Sequence, residues 1–241
     1  MQRLYYDLHI HSCLSPCGDN DMTVNNIAGM GSLAGLNIMA LTDHNTVKNL
    51  PGFFTACEKY GIVAIGGMEL TTAEEVHIVC LFPTLENALA FGEVVDERRI
   101  KIKNKSEIFG EQIILDCDDE QIGIEEHLLI NATTISIDEA YELVKKFSGI
   151  CYPAHIDRES NGIIAMLGVF PETPDFKTVE IYDKSKQTDL EEKFEILKHK
   201  KKIYCSDAHY LEKIRDKENY FEFEDNLSDE KIAKAVIEIL S

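Results

Sequence analysis

Short apolar runs rich in β-branched residues alternate along this chain with longer stretches of helical periodicity. This alternation is typical of a sheet built from βα units, in which helices cover the strands. The predicted strands cover residues 4–11, 38–42, 62–66, 76–82, 150–153, 178–182 and 202–205. The predicted helices cover residues 23–34, 47–60, 84–99, 137–147, 189–198 and 229–240. The sequence therefore predicts an α/β fold.

The 241 residues contain no internal repeat and no low-complexity linker, so we expect one domain over residues 1–241. The irregular part runs from about residue 100 to 134, includes the acidic stretch DCDDEQIGIEE and contains no clear strand. Long segments of this kind often act as lids over an enzyme site, and as often they are solvated surface excursions. Both interpretations of residues 100–134 stay open.

The formal net charge is −19, which argues against an extended surface for a nucleic-acid backbone because phosphates would be repelled over most of the protein. One phosphate in a local pocket is compatible with this charge, since bound divalent metal ions would reverse the sign of the potential there. We therefore expect a small phosphorylated substrate or a short oligonucleotide end as the partner.

Nothing in the sequence points to a membrane or an oxidising compartment. No stretch approaches the roughly 18 consecutive apolar residues of a membrane-spanning helix, and the start MQRLYYDLHI lacks the features of a secretory signal. The seven cysteines are odd in number and scattered without a CxxC pair, which suggests reduced thiols. We expect a cytoplasmic protein, and the sequence leaves its oligomeric state open.

The stretch DLHIHSCLSPCGDND places two histidines one residue apart at the end of the first predicted strand. Side chains alternate between the faces of a strand, so His9 and His11 point the same way while Ile10 points into the opposite layer. Their Cα atoms would be roughly 6.5 Å apart, close enough for both imidazoles to bind one ion. The same spacing returns in IYCSDAHY, which contains Asp207 and His209.

Further residues of metal-binding type lie between these two pairs, mostly at the carboxyl ends of predicted strands. Asp43 and His44 follow one strand, and Glu69 follows another. His155 ends the run GICYPAH, whereas His77 begins its strand. The carboxyl ends of the strands form the catalytic face of a β/α barrel. Each residue alone has an ordinary structural explanation, but together they predict a metal site.

The motifs DLHIHS, LTDHNT, GMEL, EVHIVCLF, PAH and SDAH, in this order, resemble those of the PHP family, named for polymerase and histidinol phosphatase. They run from residue 7 to residue 209. The resemblance implies a distorted, TIM-like barrel of seven β/α units and a metal-dependent phosphoesterase that typically binds three metal ions. By motif it assigns the metal ligands as His9, His11, His44, Glu69, His77, His155, Asp207 and His209.

One position departs from the family pattern. Relatives commonly continue the HxHS step with S-D-G-x-L-T-P, in which the aspartate is a ligand, whereas this chain reads SPCGDNDMTV. Matching MT to LT places Asp19 on the ligand position after an insertion. Cys17 is the alternative, because a thiolate binds zinc well. The motif match favours Asp19.

The resemblance also implies how the site would act on a phosphoester. Two to three divalent ions of manganese, iron or zinc would share Glu69 as a bridging carboxylate and supply a metal-bridged hydroxide that attacks phosphorus in line. Asp43, beside His44, is expected to orient an imidazole rather than bind a metal. For the substrate, Arg158 in PAHIDR is a candidate phosphate ligand, and His127 in the irregular segment is a second candidate.

The leading functional hypothesis is a hydrolase that acts on a phosphomonoester, a nucleotide or a 5′-phosphorylated oligonucleotide end. A metal-dependent amidohydrolase is the first alternative, since that class also opens with HxH on a barrel strand. It usually adds a bridging lysine, whereas Glu69 and the late DAH motif fit phosphoesterases better. The second alternative is a non-catalytic metal-binding accessory module, which would be expected to have lost ligands that this chain retains.

Overall fold

In the computed structural model, which describes residues 1–225 and 227–241, five of the seven predicted strands and one strand that was not predicted, Tyr220–Phe223, form a curled six-stranded sheet. The other two predicted strands form a two-stranded companion. The strands are β1 (Gln2–Ile10), β2 (Ile38–Leu41), β3 (Val63–Thr71), β4 (His77–Phe82), β5 (Ile113–Leu115), β6 (Gln121–Ile124), β7 (Ile150–Pro153), β8 (Thr178–Glu180), β9 (Lys201–Ile203) and β10 (Tyr220–Phe223). The helices are α1 (Val24–Leu33), α2 (Leu50–Tyr60), α3 (Leu85–Arg98), α4 (Ser106–Phe109), α5 (Ile137–Lys146), α6 (Ile163–Leu167), α7 (Gln187–Lys193) and α8 (Asp229–Leu240). In the described part of the chain, no helix combines the length and the apolar character needed to cross a membrane. The predicted α/β class is confirmed.

The large sheet has the strand order β10-β1-β2-β3-β4-β7. β1, β2 and β3 run parallel, as βα units require, whereas β4 runs antiparallel to both β3 and β7. β8 and β9 form a parallel pair of their own. A short turn rather than a helix joins β3 to β4, so the regular repeat is broken there, and the count of seven β/α units stays a prediction.

Two backbone contacts connect the β8–β9 pair to the large sheet. Beyond β7, the Ile156 amide donates to the carbonyl of Glu180 at the end of β8, at 2.9 Å. Beyond β9, Ala208 bridges to Ile10 at the end of β1, and its carbonyl accepts a hydrogen bond from the His11 amide at 3.0 Å. The sheet therefore curls until the carboxyl ends of β1, β7, β8 and β9 lie close together.

Two apolar cores cover the faces of the curled sheet. Side chains of the outer helices, among them Ile27, Phe53 and Phe91, pack in the first core and are fully buried. The second core is covered by α8, whose Val236 packs with strand residues such as Leu8. Because both faces of the strands are buried in apolar surroundings, the buried polar side chains at the strand ends require partners of their own.

The end of β1 places its two histidines as predicted. The pairing of β1 with β2 shifts in register just before Ile10, which lies in the core beneath the outer helices. His9 and His11 are instead fully buried beside the carboxylates of Glu69 and Asp207. The prediction that the two histidines share a side opposite Ile10 is confirmed.

The segment 100–134 contains regular structure that its sequence pattern did not predict. It includes α4 and an antiparallel hairpin of β5 and β6. The Asp116 carboxylate accepts the backbone amides of Asp118 at 2.9 Å and Glu120 at 3.0 Å, and so builds the hairpin turn. The expectation of no clear strand was wrong because the acidic residues serve a turn between two short strands.

Candidate metal centre

The eight side chains that the motifs assign as metal ligands lie together where the strands end. His77 begins β4 as predicted, but Glu69 lies within β3 rather than beyond it, because β3 continues to Thr71. The ring of His11 stacks on that of His209 with centroids 4.3 Å apart. A cavity of about 350 Å³, here called the metal pocket, is lined by His44, Glu69, His77, His155, Asp207 and His209.

Glu69 is the centre of this cluster. Glu69 is 1% exposed. Five imidazole nitrogens lie 2.9–3.3 Å from its carboxylate oxygens, and they belong to His9, His11, His44, His77 and His155. A carboxylate offers about four acceptor positions, so hydrogen bonds alone do not account for five such contacts. Cations shared between the carboxylate and the imidazoles account for all of them.

Asp207 forms a second meeting point. Its Oδ1 lies 3.3 Å from His9 Nε2 and 3.2 Å from His11 Nε2, and these two nitrogens are 3.1 Å apart. Donor atoms that share an ion at bond lengths of about 2.0–2.2 Å stand roughly 2.8–3.6 Å from one another. His9, His11, Glu69 and Asp207 therefore have the spacing of ligands around one cation.

Several side-chain atoms that face the cluster are buried without a hydrogen-bond partner in the described residues, namely His44 Nδ1, His77 Nδ1 and Asp207 Oδ1. Leaving a buried polar atom unpaired costs roughly 1–3 kcal/mol. A divalent cation would satisfy lone pairs of this kind, and imidazole with carboxylate suits zinc, iron and manganese. The residues present therefore fit a cluster of divalent ions.

The local electrostatics give Glu69 and His77, but not every imidazole, the protonation state that metal binding needs. Burial acts to lower the pKa of His9, His11 and His44, but Glu69 and other acidic neighbours raise it, so a metal ion would displace a proton there. Burial acts to raise the pKa of Glu69, but the neighbouring His77, His9 and His44 hold that pKa well below its usual range. Burial has the larger effect on His77 and lowers the pKa of its imidazole to about 4, against the opposing effect of Glu69. An ionised carboxylate beside a neutral imidazole is the pairing that binds a metal ion.

Two of the assigned residues have backbone conformations that few residues adopt. His155 has φ +27° and Asp207 has φ +48°, both in the positive region that costs a residue with a Cβ about 1–3 kcal/mol. His155 lies shortly after β7 and Asp207 shortly after β9, and both side chains line the pocket. Strain of this kind persists where the surrounding structure holds the residue for a function.

Glu180 is a functional candidate that the sequence analysis missed. It is fully buried, both of its carboxylate oxygens lie 3.0 Å from His9 Nδ1, and it also accepts the His155 amide at 3.1 Å. By holding Nδ1–H, Glu180 leaves the Nε2 lone pair of His9 directed at the cluster. The sequence could have indicated Glu180 because it is an acidic residue near the carboxyl end of the predicted strand 178–182.

Asp43 orients the imidazole of His11, not that of its chain neighbour His44. It acts through the hydroxyl of Ser15. Its Oδ1 accepts a hydrogen bond from Ser15 Oγ at 2.7 Å, and Ser15 Oγ lies 3.0 Å from His11 Nδ1. The Ser12 hydroxyl and amide also donate to Asp43. This chain of hydrogen bonds fixes the ring of His11 with its Nε2 toward Asp207.

The loop after β1 brings Cys17 rather than Asp19 into the metal pocket. Cys17 is exposed and lines the pocket together with His44 and His209. The Asp19 carboxylate instead accepts the backbone amide of Asp21 at 2.9 Å. The motif match pointed to Asp19 because the shape of the inserted turn cannot be deduced from the sequence.

Of the two predicted substrate residues, the structure places one at the pocket. Arg158 lines it, donates to Asp207 and lies with its guanidinium 4.0 Å from the ring centre of Tyr182. His127 does not line it, since its partly exposed ring stands 3.5 Å from Glu125 and its backbone bridges to Lys103. Its position in the hairpin region gives His127 no contact with the ligand cluster.

Comparisons with known proteins add to this geometry. The family model of the PHP domain matches residues 7–238. A 5′-3′ exoribonuclease of Haemophilus influenzae is 31% identical over 114 residues, which cover 44% of this chain and 40% of that protein. The lesion-specific endonuclease Q of Pyrococcus furiosus has 19% identity and a TM-score of 0.66 over 99% of this chain and 56% of that chain. A proposed metal-dependent phosphoesterase of Bifidobacterium adolescentis has 17% identity and a TM-score of 0.59 over 97% of this chain and 95% of that chain.

These proteins differ in how much of them the chain covers. It spans only 40% of the exoribonuclease and 56% of the endonuclease, but nearly all of the phosphoesterase. At 17–19% identity, the two solved structures establish a shared fold. The family match covers the strand-end motifs at both ends of the chain.

Proposed function

Because the chain belongs to the PHP domain family, we propose that it is a metal-dependent phosphoesterase that hydrolyses a phosphomonoester, a nucleotide or a 5′-phosphorylated oligonucleotide end. The observation that carries this proposal is the convergence of five imidazole nitrogens on the buried Glu69 carboxylate. Arg158 lies on the wall of the same pocket. Imidazole and carboxylate donors suit divalent cations, and a guanidinium suits phosphate.

We propose that the pocket holds two to three divalent ions of manganese, iron or zinc. Three groups of donor atoms have a suitable spacing, namely His9, His11, Glu69 and Asp207; His44, Glu69 and His77; and His11, His44 and His209. Glu69 belongs to two groups, which suits a bridging carboxylate. Ions bound there would lower the pKa of a water molecule to about 7 and screen the charge of the phosphate oxygens.

The remaining polar residues of the pocket would position the substrate. Arg158 is stacked on the ring of Tyr182, and this stacking holds its planar fork ready to bind two phosphate oxygens. Tyr182 is 37% exposed and also lies 5.5 Å from the guanidinium of Arg215. A base can stack on an exposed aromatic ring or on the plane of an arginine guanidinium. This arrangement favours a nucleotide or an oligonucleotide end over a phosphate ester without a base.

The names of two relatives support the oligonucleotide end. One is a 5′-3′ exoribonuclease and the other a lesion-specific endonuclease, so both act on nucleic acids. The net charge of −19 argues for contact with a short end rather than with a long duplex. Arg158 and Arg215 would supply positive charge only beside the pocket.

We further propose that residues 1–241 are a single catalytic domain on a distorted barrel of seven β/α units, in the cytoplasm, with residues 100–134 as a lid. Ile130 of that segment lines the metal pocket. The Asn45 side-chain amide donates to the carbonyls of Leu129 at 2.6 Å and Asn131 at 2.9 Å. This end of the segment is thus tied to the loop that follows His44, which supports a role over the pocket.

The test is a panel of nucleotides, sugar phosphates and 5′-phosphorylated oligonucleotides offered to manganese-loaded protein, with phosphate release and strand shortening measured. We expect Asp207→Asn to lower turnover by more than about 100-fold, because it removes a charged donor at the centre of the cluster. Asp118→Asn, in the acidic hairpin turn, is the matched control and keeps the activity. If metal-loaded protein turns over none of these phosphoesters, the proposal is contradicted. Cleavage of amides instead would support the amidohydrolase, and no cleavage of either phosphoesters or amides would support the accessory module.

A further inference from the structure

We propose that Cys17 supplies a thiolate ligand to a metal ion held by His44 and His209, where the family pattern has a carboxylate. This inference rests on the metal centre of the proposed function, whatever substrate that centre serves. It changes the donor set of one ion from nitrogen and oxygen to nitrogen and sulfur.

His44 and His209 form an incomplete site. Their nitrogen atoms lie within 4.8 Å of each other and of His11, whose Nε2 faces Asp207 and the ion proposed there. Zinc in proteins usually takes four ligands, so two imidazoles leave positions for further donors. Cys17 lines the same pocket as both imidazoles.

A second observation points to a cation at this place. The side chain of His44 is 6% exposed, and its Nδ1 has no hydrogen-bond partner among the described residues. That nitrogen lies 3.0 Å from Glu69 Oε2, so it faces the cluster, but the two atoms make no hydrogen bond. The imidazole that lines the pocket with Cys17 is therefore itself arranged as a metal ligand.

The loop is built to hold the thiol there. The Gly18 amide donates to the Ser15 carbonyl at 2.8 Å, and the Asp19 amide donates to the His209 carbonyl at 2.9 Å. A Cβ on Gly18 would lie 2.4 Å from the Ser12 carbonyl oxygen, so only glycine permits this tight turn. The turn fixes the position of Cys17 against His209.

The other cysteines have no comparable surroundings. Five of them are buried, and Cys117 is partly exposed with its carbonyl bound by Asn25 and Lys59. Only Cys17 lines the metal pocket among the cysteines of the described residues. A soft thiolate at this position favours zinc, cobalt and cadmium over manganese and magnesium at the same ion.

The test is titration of the metal-free full chain with Co²⁺, followed by the thiolate-to-cobalt charge-transfer absorption in the near ultraviolet. We expect this band in the wild type and its complete loss in Cys17→Ser. In Cys17→Asp the band is also lost, but the number of bound cobalt ions stays unchanged, because a carboxylate replaces the lost thiolate ligand. Cys117→Ser, which removes the other accessible thiol, and Asp19→Asn both keep the band.

A wild type that binds cobalt without the band, or a Cys17→Ser variant that keeps it, overturns the proposal. Loss of the band in Asp19→Asn, or failure of the wild type to bind cobalt, overturns it as well. The circular dichroism of each variant shows whether it is folded, and Cys17→Asp serves as the folded comparison if Cys17→Ser is not. The band is read without substrate, so its presence in protein that releases no phosphate would reject the phosphoesterase and leave this proposal standing.

Discussion

The metal pocket and the segment 100–134 each bury a glutamate, and the two carboxylates are satisfied in different ways. Glu69 is 1% exposed and Glu125 is 5% exposed. Glu125 is paired with Lys48 and with Arg99, whose side chains have no lone pair to offer a metal. Glu69 is surrounded by imidazoles, each of which can present a nitrogen lone pair once it is neutral.

The difference teaches how a buried carboxylate can be assigned a role. A permanent cation such as arginine completes an ion pair, which explains the carboxylate without any further group. Several imidazoles around one carboxylate leave nitrogen atoms unpaired among the described residues, as His44 and His77 do here. The first arrangement is structural, and the second has room for a metal ion.

The largest effect is expected from Glu69→Gln. The substitution removes the charge that the imidazoles share, and we expect metal affinity to fall by more than about 100-fold, since loss of an outer partner alone costs 10–100-fold. Metal content after dialysis against a chelator measures this. Glu125→Gln, the matched buried glutamate, keeps the wild-type metal content. Equal metal loss in both variants would erase the distinction between the two carboxylates.

Glu180→Gln tests a third buried carboxylate, one that contacts a proposed metal ligand but is not itself a proposed ligand. The Glu180 carboxylate lies 3.0 Å from His9 Nδ1. The glutamine amide would hold the imidazole of His9 less firmly, but every proposed metal ligand would still be present. Metal affinity should fall by about 10–100-fold in competition with a chromogenic chelator. Glu191→Gln, which loses a contact with Lys202 on another face, is the control. An unchanged affinity for Glu180→Gln would reduce Glu180 to a packing residue.

The smallest effect is expected from Glu125→Gln, and it concerns stability. Burial acts to raise the pKa of Glu125, but hydrogen bonds from Lys48, the His127 amide and Arg99 lower it to about 2. We expect the variant to lose about 1–3 kcal/mol in the free energy of unfolding at pH 7, measured in urea. The exposed neighbour Glu126→Gln should show no loss.

The pH dependence of that stability has a definite sign. Because the pKa of Glu125 is depressed in the folded state, its contribution is complete above the ordinary pKa of 4.5 and is lost as the pH falls toward about 2. The difference between the wild type and Glu125→Gln should therefore shrink between pH 4.5 and pH 2. A difference that stays constant over this range would show that the ion pairs contribute no stability.

Local pattern was enough to predict the elements that carry the site. Apolar runs placed the bounds of β1, β2, β4 and β7 to β9 within about two residues, although β3 continues five residues past its predicted end. The alternation rule placed His9 and His11 opposite Ile10. These predictions depend on neighbours in the sequence, and neighbours decide which face of a strand a side chain takes. The hairpin of β5 and β6 was missed because its strands are short and its turn residues are acidic.

Contacts between distant residues could not be predicted in the same way. Glu180 meets His9 across 171 positions of sequence, and nothing local to either residue indicates the pairing. Asp43 acts on His11 through Ser15, although His44 is its neighbour in the chain. The path of the loop after β1 decided that Cys17 and not Asp19 lines the pocket.

The sequence by itself determined the fold class, the family and the residue types of the cluster, because each follows from short motifs and their periodicity. The tertiary structure alone decided which donors share an ion, which carboxylate orients which imidazole, and which side chain the inserted turn presents. The physical reason is that ligand geometry depends on distances of about 3 Å between parts of the chain that only the curled sheet brings together. The spacing of residues along a strand sets the direction in which their side chains point, whereas closure of the sheet sets which of those side chains come close together.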